Sequence, residues 1–155
     1  MSLRYSDLHL QILVRGLLDP GEHLTGHAIA VRNPWYGLGF LSKQYLLVST
    51  DRRLLVLEHE RSFLYTTFVL SKVESYLWAN VEELQLRGLL AKRVRLVART
   101  ANAVHKLVMH VPAWFAAVRD NGRSVRAVVA TFQAQRALAP GSSPNRALPA
   151  TSFSM

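Results

Sequence analysis

RVRLVARTANAVHKLVMH, residues 93–110, is the stretch on which the reading of this chain turns. Valine, leucine and alanine at 94, 96 and 98 alternate with arginines at 93, 95 and 99, and a second run follows the break at Thr100–Ala103. Alternation with a period of two marks a strand with one buried face. Centring the turn on Ala101 and Asn102 sets the register, because a slip of one residue would exchange the two faces. Val94 then meets Met109, Leu96 meets Leu107 and Ala98 meets His105 on an apolar face. Arg93 meets His110, Arg95 meets Val108 and Val97 meets Lys106 on the other. The hairpin thus offers a core face and a basic strip of Arg93, Arg95, Lys106 and His110.

The same β-rich pattern extends back to His23, with turn residues between short runs, and predicts seven strands over 23–31, 43–50, 53–59, 73–79, 81–87, 92–99 and 104–111. A turn at Asp51 and Arg52 sets Leu46 against Leu57 and Val48 against Leu55. The opposite face of that hairpin carries Tyr45, Leu47, Leu54 and Val56 and is apolar too. One face lines a core, so the other needs a cover, either the N-terminal helix or another subunit. Tyr45, Leu47, Leu54 and Val56 are taken as the face for self-association or a protein partner. Segment 60–72 fits neither period and stays unassigned between an extra strand and a long connection.

Helical spacing brackets the strands. Ser6 can cap a helix over about 6–18, with Leu10, Leu13, Val14 and Leu17 on one stripe, stopped at Asp19-Pro20-Gly21. After Pro112, residues Trp114, Ala117, Val118, Asn121, Val125, Val128, Val129 and Phe132 share a stripe. The stripe keeps its phase through Asn121-Gly122, which predicts one helix with a kink, and Ser124 could recap a second segment. The expected organisation is an N-terminal helix at 1–20, a domain at 21–136 and a flexible tail rich in proline, serine and alanine at 137–155.

Composition narrows the chemistry. The chain has 155 residues, half of them hydrophobic, which suits one folded domain and excludes disorder of the whole. No cysteine is present, so disulfides, thiolate metal sites and cysteine nucleophiles are excluded, and a cytoplasmic location is the expectation. No apolar run approaches the roughly 20 residues of a spanning helix, and nothing resembles a cleaved signal, so the protein is expected to be soluble or peripheral at the inner membrane. Nineteen lysines and arginines against ten acids give a net charge of +9. No acid falls between Glu83 and Asp120, where Arg87, Lys92, Arg93, Arg95, Arg99, Lys106 and Arg119 lie. Such a region attracts phosphate-bearing partners or is simply a solvated strand face. Aromatic residues for base stacking are not interleaved with the basic strip, which argues against nucleic acid.

Catalytic patterns are poor. His23 and His27 would stand about 13 Å apart on an extended strand at about 3.3 Å per residue, too far to share a metal. Glu58 and Glu60 flank His59 at a strand end, where solvated carboxylates are the ordinary case. Gly37-Leu38-Gly39 lacks the rest of a dinucleotide fingerprint, and no serine stands in a nucleophile elbow. No catalytic residue, metal or cofactor is expected.

Three stretches carry a resemblance: LLDPGE at 17–22, YLLVSTDRRLLV at 45–56 and VESYLWANVEELQLRGLLAKRVRL at 73–96. In this order they resemble bacterial pleckstrin-homology-like domains, where a "PGE" entry precedes a "vTdrRll" hairpin and a "gll" turn precedes an outer strand. The likeness covers about 21–134, and segment 61–72 departs from it. It implies a split barrel of about seven antiparallel strands closed by a C-terminal helix, here with an extra N-terminal helix, and a non-enzymatic binding module. Bacterial members tend to self-assemble or bind proteins, and eukaryotic members often hold phosphoinositides or peptides. Phosphoinositide-binding relatives place basic residues on the first two strands. Here Arg32 and Lys43 flank the loop NPWYGLGFLS at 33–42, but Tyr45 stands where another arginine would complete the pattern. Trp35, Tyr36 and Phe40 in that loop suit a membrane interface, with Arg32 and Lys43 on lipid phosphates, or else the capping of a barrel end or packing across a subunit boundary. The leading expectation is a self-associating or partner-docking module, and the alternative is peripheral recognition of anionic lipid headgroups.

Overall fold

The computed structural model describes residues 12–32, 43–61, 68–88, 92–111 and 120–138. Its strands are β1 (Leu24–Arg32), β2 (Lys43–Thr50), β3 (Arg53–Arg61), β4 (Phe68–Leu77), β5 (Val81–Arg87), β6 (Arg93–Arg99) and β7 (Val104–His110), followed by helix α1 (Asn121–Leu138). They form one antiparallel sheet in the order β4-β3-β2-β1-β7-β6-β5. β1 and β7 pair only at Val31 and His110, so the sheet divides there into β1–β4 and β5–β7. Apolar side chains from both halves join α1 in one core, which makes the whole barrel-like.

All seven strands expected from the sequence are present. The β6–β7 register is the expected one, from Arg93 opposite His110 to Ala98 opposite His105. In β2–β3, Leu46 faces Leu57 and Val48 faces Leu55, also as expected. Part of the unassigned segment is strand: β3 continues to Arg61 and β4 starts at Phe68, with 62–67 outside the described residues. A register shift between Glu58 and His59 moves the following side chains to the other face. This shift erases the period-two pattern that would have shown a strand. The fourth predicted strand ends early, in a 3₁₀ turn at Trp78–Asn80, where the buried Trp78 indole donates to the Thr50 carbonyl at 2.9 Å.

The structure reverses the faces of β2–β3. Tyr45, Leu47, Leu54 and Val56 line the barrel interior with Leu84, Val94, Leu96, Met109 and the α1 residues Val125 and Phe132. Each of the four is at most 1% exposed, so they offer no face to a partner. Leu46, Val48, Leu55 and Leu57 point outward instead, where Val14, Leu13, Leu17 and Leu18 cover them together with Ile29 and Leu70. Both faces are apolar because both are buried, and the cover is the chain's own N-terminal segment.

That segment is helical over 12–15 and turns at 16–18, with Gly16 and Leu18 amides donating to the Ile12 and Val14 carbonyls. Ser6, the expected cap, lies outside the described residues. The stop is a tight turn in which the Glu22 amide donates to the Asp19 carbonyl at 3.0 Å. Pro20 supplies a fixed φ and Gly21 adopts φ 74°, the left-handed value that a type II turn needs at its third residue.

The C-terminal helix also needs correction. Asp120 has φ 56° and its carbonyl accepts from the Arg123 and Ser124 amides, so the helix starts at Asn121 and does not run through it as a kinked continuation. Residues 112–119, including Trp114, Ala117 and Val118, lie outside the described residues. From Asn121 onward the expected stripe is buried: Asn121, Val125, Val128, Val129 and Phe132. α1 comes close to β1 at Gly26, where an added Cβ would sit 3.7 Å from Val128 and 3.2 Å from the Ser49 hydroxyl. Asn121 completes the gap between β1 and β7. Its amide donates to the Ile29 carbonyl at 2.8 Å and accepts from the Ile29 N–H at 2.9 Å, taking the place of a neighbouring strand.

Candidate functional site: the cationic outer face of β5–β7

Pairing register brings basic residues from three strands into one row. Arg87 on β5 lies opposite Arg93 on β6, and Arg93 lies opposite His110 on β7. His110 in turn pairs with Val31, and Arg32 follows next in sequence with its side chain on the opposite face of β1, the face of Ala28 and Ala30. Arg95 sits one step along the same face, between Gln85 and Val108, and Lys106 lies beyond it opposite Val97. The face points outward because Val94, Leu96 and Ala98, the alternate residues of β6, are fully buried.

Two carboxylates temper this face. Glu83 lies 3.2 Å from Arg95 and 3.7 Å from Arg87, and Glu82 lies 2.7 Å from Arg99. The Arg87 guanidinium also donates to the Gln85 side-chain oxygen at 2.7 and 3.0 Å, which holds it extended over the strand. Arg93 and Lys106 meet no carboxylate among the described residues, so this face keeps a positive excess. Val104 and Val108 are exposed between these cations. Burial, and then the neighbouring Arg93 charge, hold the His110 imidazole below its ordinary pKa.

The two cations flanking the 33–42 connection are unlike each other. Arg32 and Lys43 are cross-strand partners. Lys43 is held by Glu58 at 2.5 Å and Glu60 at 2.8 Å, and these hydrogen bonds raise its pKa. Its charge is spent inside the protein, whereas Arg32 is exposed and meets no carboxylate among the described residues. The loop residues Trp35, Tyr36 and Phe40 lie outside the described residues. Burial raises the pKa of the Tyr45 phenol, with Arg32 opposing the rise.

A second polar group spans the barrel. Glu74 on β4 accepts from Lys72 at 2.6 Å and from the Tyr76 hydroxyl at 2.8 Å, and its carboxylate lies 3.5 Å from His105 on β7. The His105 ring meets Tyr76 edge-on at 5.8 Å. Burial alone would raise the Glu74 pKa, but the bonds from Lys72 and Tyr76 outweigh it and the carboxyl is held low. His59, between the paired strand-end glutamates, is buried with Nδ1 3.1 Å from the Leu57 carbonyl, and burial lowers its pKa. Among the described residues no three histidines or carboxylates gather as metal ligands.

The "PGE" and "TDRR" stretches prove to be one joint. Arg53 donates to both Glu22 carboxylate oxygens at 2.9 and 2.7 Å and to the Leu17 carbonyl at 3.0 Å, and it lies 3.1 Å from Asp19. Thr50 donates to Glu22 at 2.7 Å and the Asp19 amide does so at 2.8 Å. The Glu22 side chain is wholly buried and its pKa falls to about 2, chiefly through the Arg53 bond, which outweighs burial. This joint ties the N-terminal cover to the β2–β3 turn.

Sequence reading found the β6–β7 strip but left Arg87 out of it, and it missed Glu83 as a counter-charge. Both belong to β5, whose register shift between Val81 and Glu83 breaks its alternation. Asn121 looked like a helix-stripe residue. Its pairing with Ile29 joins residues 92 positions apart and leaves no local signal.

No helix among the described residues is long and apolar enough to cross a membrane. No family model and no curated protein matches this chain. Among solved structures, the hSac2 domain from the human phosphoinositide phosphatase Sac2 superposes with a TM-score of 0.57 over 87% of this chain and 86% of that one, at 13% identity, so the two share a fold.

Proposed function

We propose that this chain is a non-catalytic binding module of pleckstrin-homology-like architecture that docks on anionic lipid surfaces through the row His110, Arg93 and Arg87, with Arg32 at the adjoining end of β1. The row itself carries the reading: three adjacent strands, β7, β6 and β5, each contribute one residue, His110, Arg93 and Arg87, to one outward face. The exposed cations Arg87, Arg93, Arg95 and Lys106 around a neutral His110 suit a surface of many phosphates better than one enclosed ligand. Arg95 and Lys106 extend the row, and the exposed Val104 and Val108 add apolar contact. The sequence of 33–42 adds Trp35, Tyr36 and Phe40, residue types favoured at membrane interfaces. The strand order closed by α1 agrees with the pleckstrin-homology-like resemblance, and the similar solved domain comes from a phosphoinositide phosphatase. Lys43 is left out of the contact set because Glu58 and Glu60 hold it. A binding role also suits the polar groups at Glu22–Arg53 and Glu74–Lys72, whose charges pair with one another as structural joints. The proposed location is the inner surface of a cell membrane, reached from the cytoplasm.

Sedimentation with vesicles tests this. The full chain is expected to pellet with phosphatidylcholine vesicles containing a third phosphatidylserine, and to release as salt rises from about 50 to 300 mM. Each basic residue near such a surface contributes about 1 kcal/mol, close to fivefold in affinity, so the pair Arg87→Ala and Arg93→Ala is expected to weaken binding more than tenfold. Trp35→Ala tests the loop separately. Equal pelleting with pure phosphatidylcholine vesicles overturns the reading.

A further inference from the structure

Among the described residues the sheet ends at β4. The Trp78 amide donates to the Arg52 carbonyl, and the β3–β4 register continues this pairing from Arg53–Leu77 to Glu58–Lys72. Alternate residues of an antiparallel strand turn their amide and carbonyl groups to opposite sides. Trp78, Tyr76, Glu74 and Lys72 therefore face β3, and Val73, Ser75 and Leu77 turn theirs to the open edge. Ser75 sits midway between two exposed apolar residues, Val73 at 40% and Leu77 at 56%. We propose that two copies of this chain pair their β4 strands antiparallel about a two-fold axis at Ser75, which extends the sheet across the dimer.

The chemistry is self-complementary about that axis. Ser75 faces Ser75 of the second copy, a small side chain where two identical groups must meet. Val73 faces Leu77 of the second copy, and Leu77 faces its Val73. These apolar pairs continue the cluster that already holds Leu57, the cross-strand neighbour of Val73. On the other side of the strand Lys72 and Glu74 neutralise each other at 2.6 Å, so the edge brings no net charge to a dimer of a chain that carries +9. An axis at Val73 would need Ser71 in the ladder, but the register shift beside Glu58 interrupts the strand there, and the Ser71 hydroxyl donates to the Glu58 carbonyl. The opposite edge is unsuited to the same pairing. β5 carries Glu82, Glu83 and Arg87, and the Arg136 guanidinium already donates to its Glu82 carbonyl at 3.3 Å. A two-fold axis uses one patch twice and closes the assembly at two subunits. This surface lies apart from the cationic row, so the dimer and the lipid reading stand or fall separately.

The chain's lack of cysteine makes the test direct. Ser75→Cys places two thiols at the axis, and mild oxidation of the full chain is expected to yield a disulfide-linked dimer. Ser71→Cys, four residues from the axis, is expected to stay unlinked. Native mass at about 100 μM should report a dimer for the unmodified chain. Ser75→Lys puts like charges on the axis and also removes the hydroxyl that accepts from Arg53 at 3.3 Å, so Ser75→Ala, which loses the same bond without adding charge, is the folded control. The dimer dissociation constant should rise at least tenfold for the lysine and change little for the alanine. A monomer at 100 μM overturns the proposal and would mean the edge stays open or is covered by the chain's own residues. A dimer indifferent to Ser75→Lys, or equal cross-linking through Ser71→Cys, overturns it as well.

Discussion

The outer faces of the two halves of the sheet solve opposite problems. On β1–β3 the outward residues Ile29, Leu46, Val48, Leu55 and Leu57 are apolar and buried beneath a short N-terminal segment. On β5–β7 the outward residues Arg87, Arg93, Arg95 and Lys106 are charged and exposed. The first face is closed by the protein itself, through Leu13, Val14, Leu17 and Leu18 and through the Glu22–Arg53 joint that fixes where that segment ends. The second is left open. A surface is available for recognition where the chain keeps its cations in water, and the apolar face that looked available is already occupied.

The largest expected effect breaks the closed face. Arg53→Ala leaves Glu22 buried without its counter-charge and frees the Leu17 carbonyl. Removing one partner of a buried pair costs about 3–5 kcal/mol, so urea denaturation should show a loss of that size. An unchanged midpoint would mean that the joint contributes nothing to the fold.

Acid should loosen the same face. The Glu22 carboxyl has a pKa of about 2 when folded against 4.5 as its ordinary value, so between these values the unfolded chain binds more protons than the folded one. The stability contributed by Glu22 is complete above about pH 4.5 and is lost as pH falls toward about 2. Arg53→Ala should flatten that part of a stability-against-pH curve. An acid limb of equal slope in the variant would assign it to other carboxylates.

The open face should respond in the opposite sense. Arg93→Ala is expected to change stability by less than about 0.5 kcal/mol, because Arg93 is exposed and meets no carboxylate among the described residues. It should nevertheless weaken binding to anionic vesicles about fivefold. A large loss of stability would make Arg93 a structural residue and end the contrast between the faces.

A small effect on stability is also expected at Arg95. It is paired with Glu83 at 3.2 Å on an exposed surface, where such bridges contribute at most about 1 kcal/mol. Arg95→Ala also frees Glu83 beside Arg87, so its effect on vesicle binding should equal or exceed that of Arg93→Ala even though its effect on stability stays small. Weaker interference than Arg93→Ala would place the lipid contact nearer the Arg32 end of the row.

What the sequence revealed follows the same division. On β6 and β7 polar and apolar residues alternate, so register and sidedness could both be read, from Val94 opposite Met109 to Arg93 opposite His110. On β2 and β3 the register could be read but not the sidedness, because Leu46 and Leu47 are equally apolar. Which one faces inward depends on what covers the other, and the cover comes from residues about 30 positions earlier in the chain. The "PGE" stretch was visible as a pattern, but its role depends on Arg53 approaching from the next hairpin. The first part of β4, before Val73, was hidden by its register shift, and the start of α1 by Asp120, whose left-handed backbone has no signature in hydrophobic spacing.

Mapping of backbone amide shifts as the full, isotopically labelled chain is titrated with anionic bicelles tests the contrast most directly. The expected result is salt-sensitive perturbation at Arg32, Arg87, Arg93 and His110, with residues 13–18 and the β2–β3 turn unchanged. Perturbation centred on residues 13–18, with the β5–β7 row silent, would contradict it.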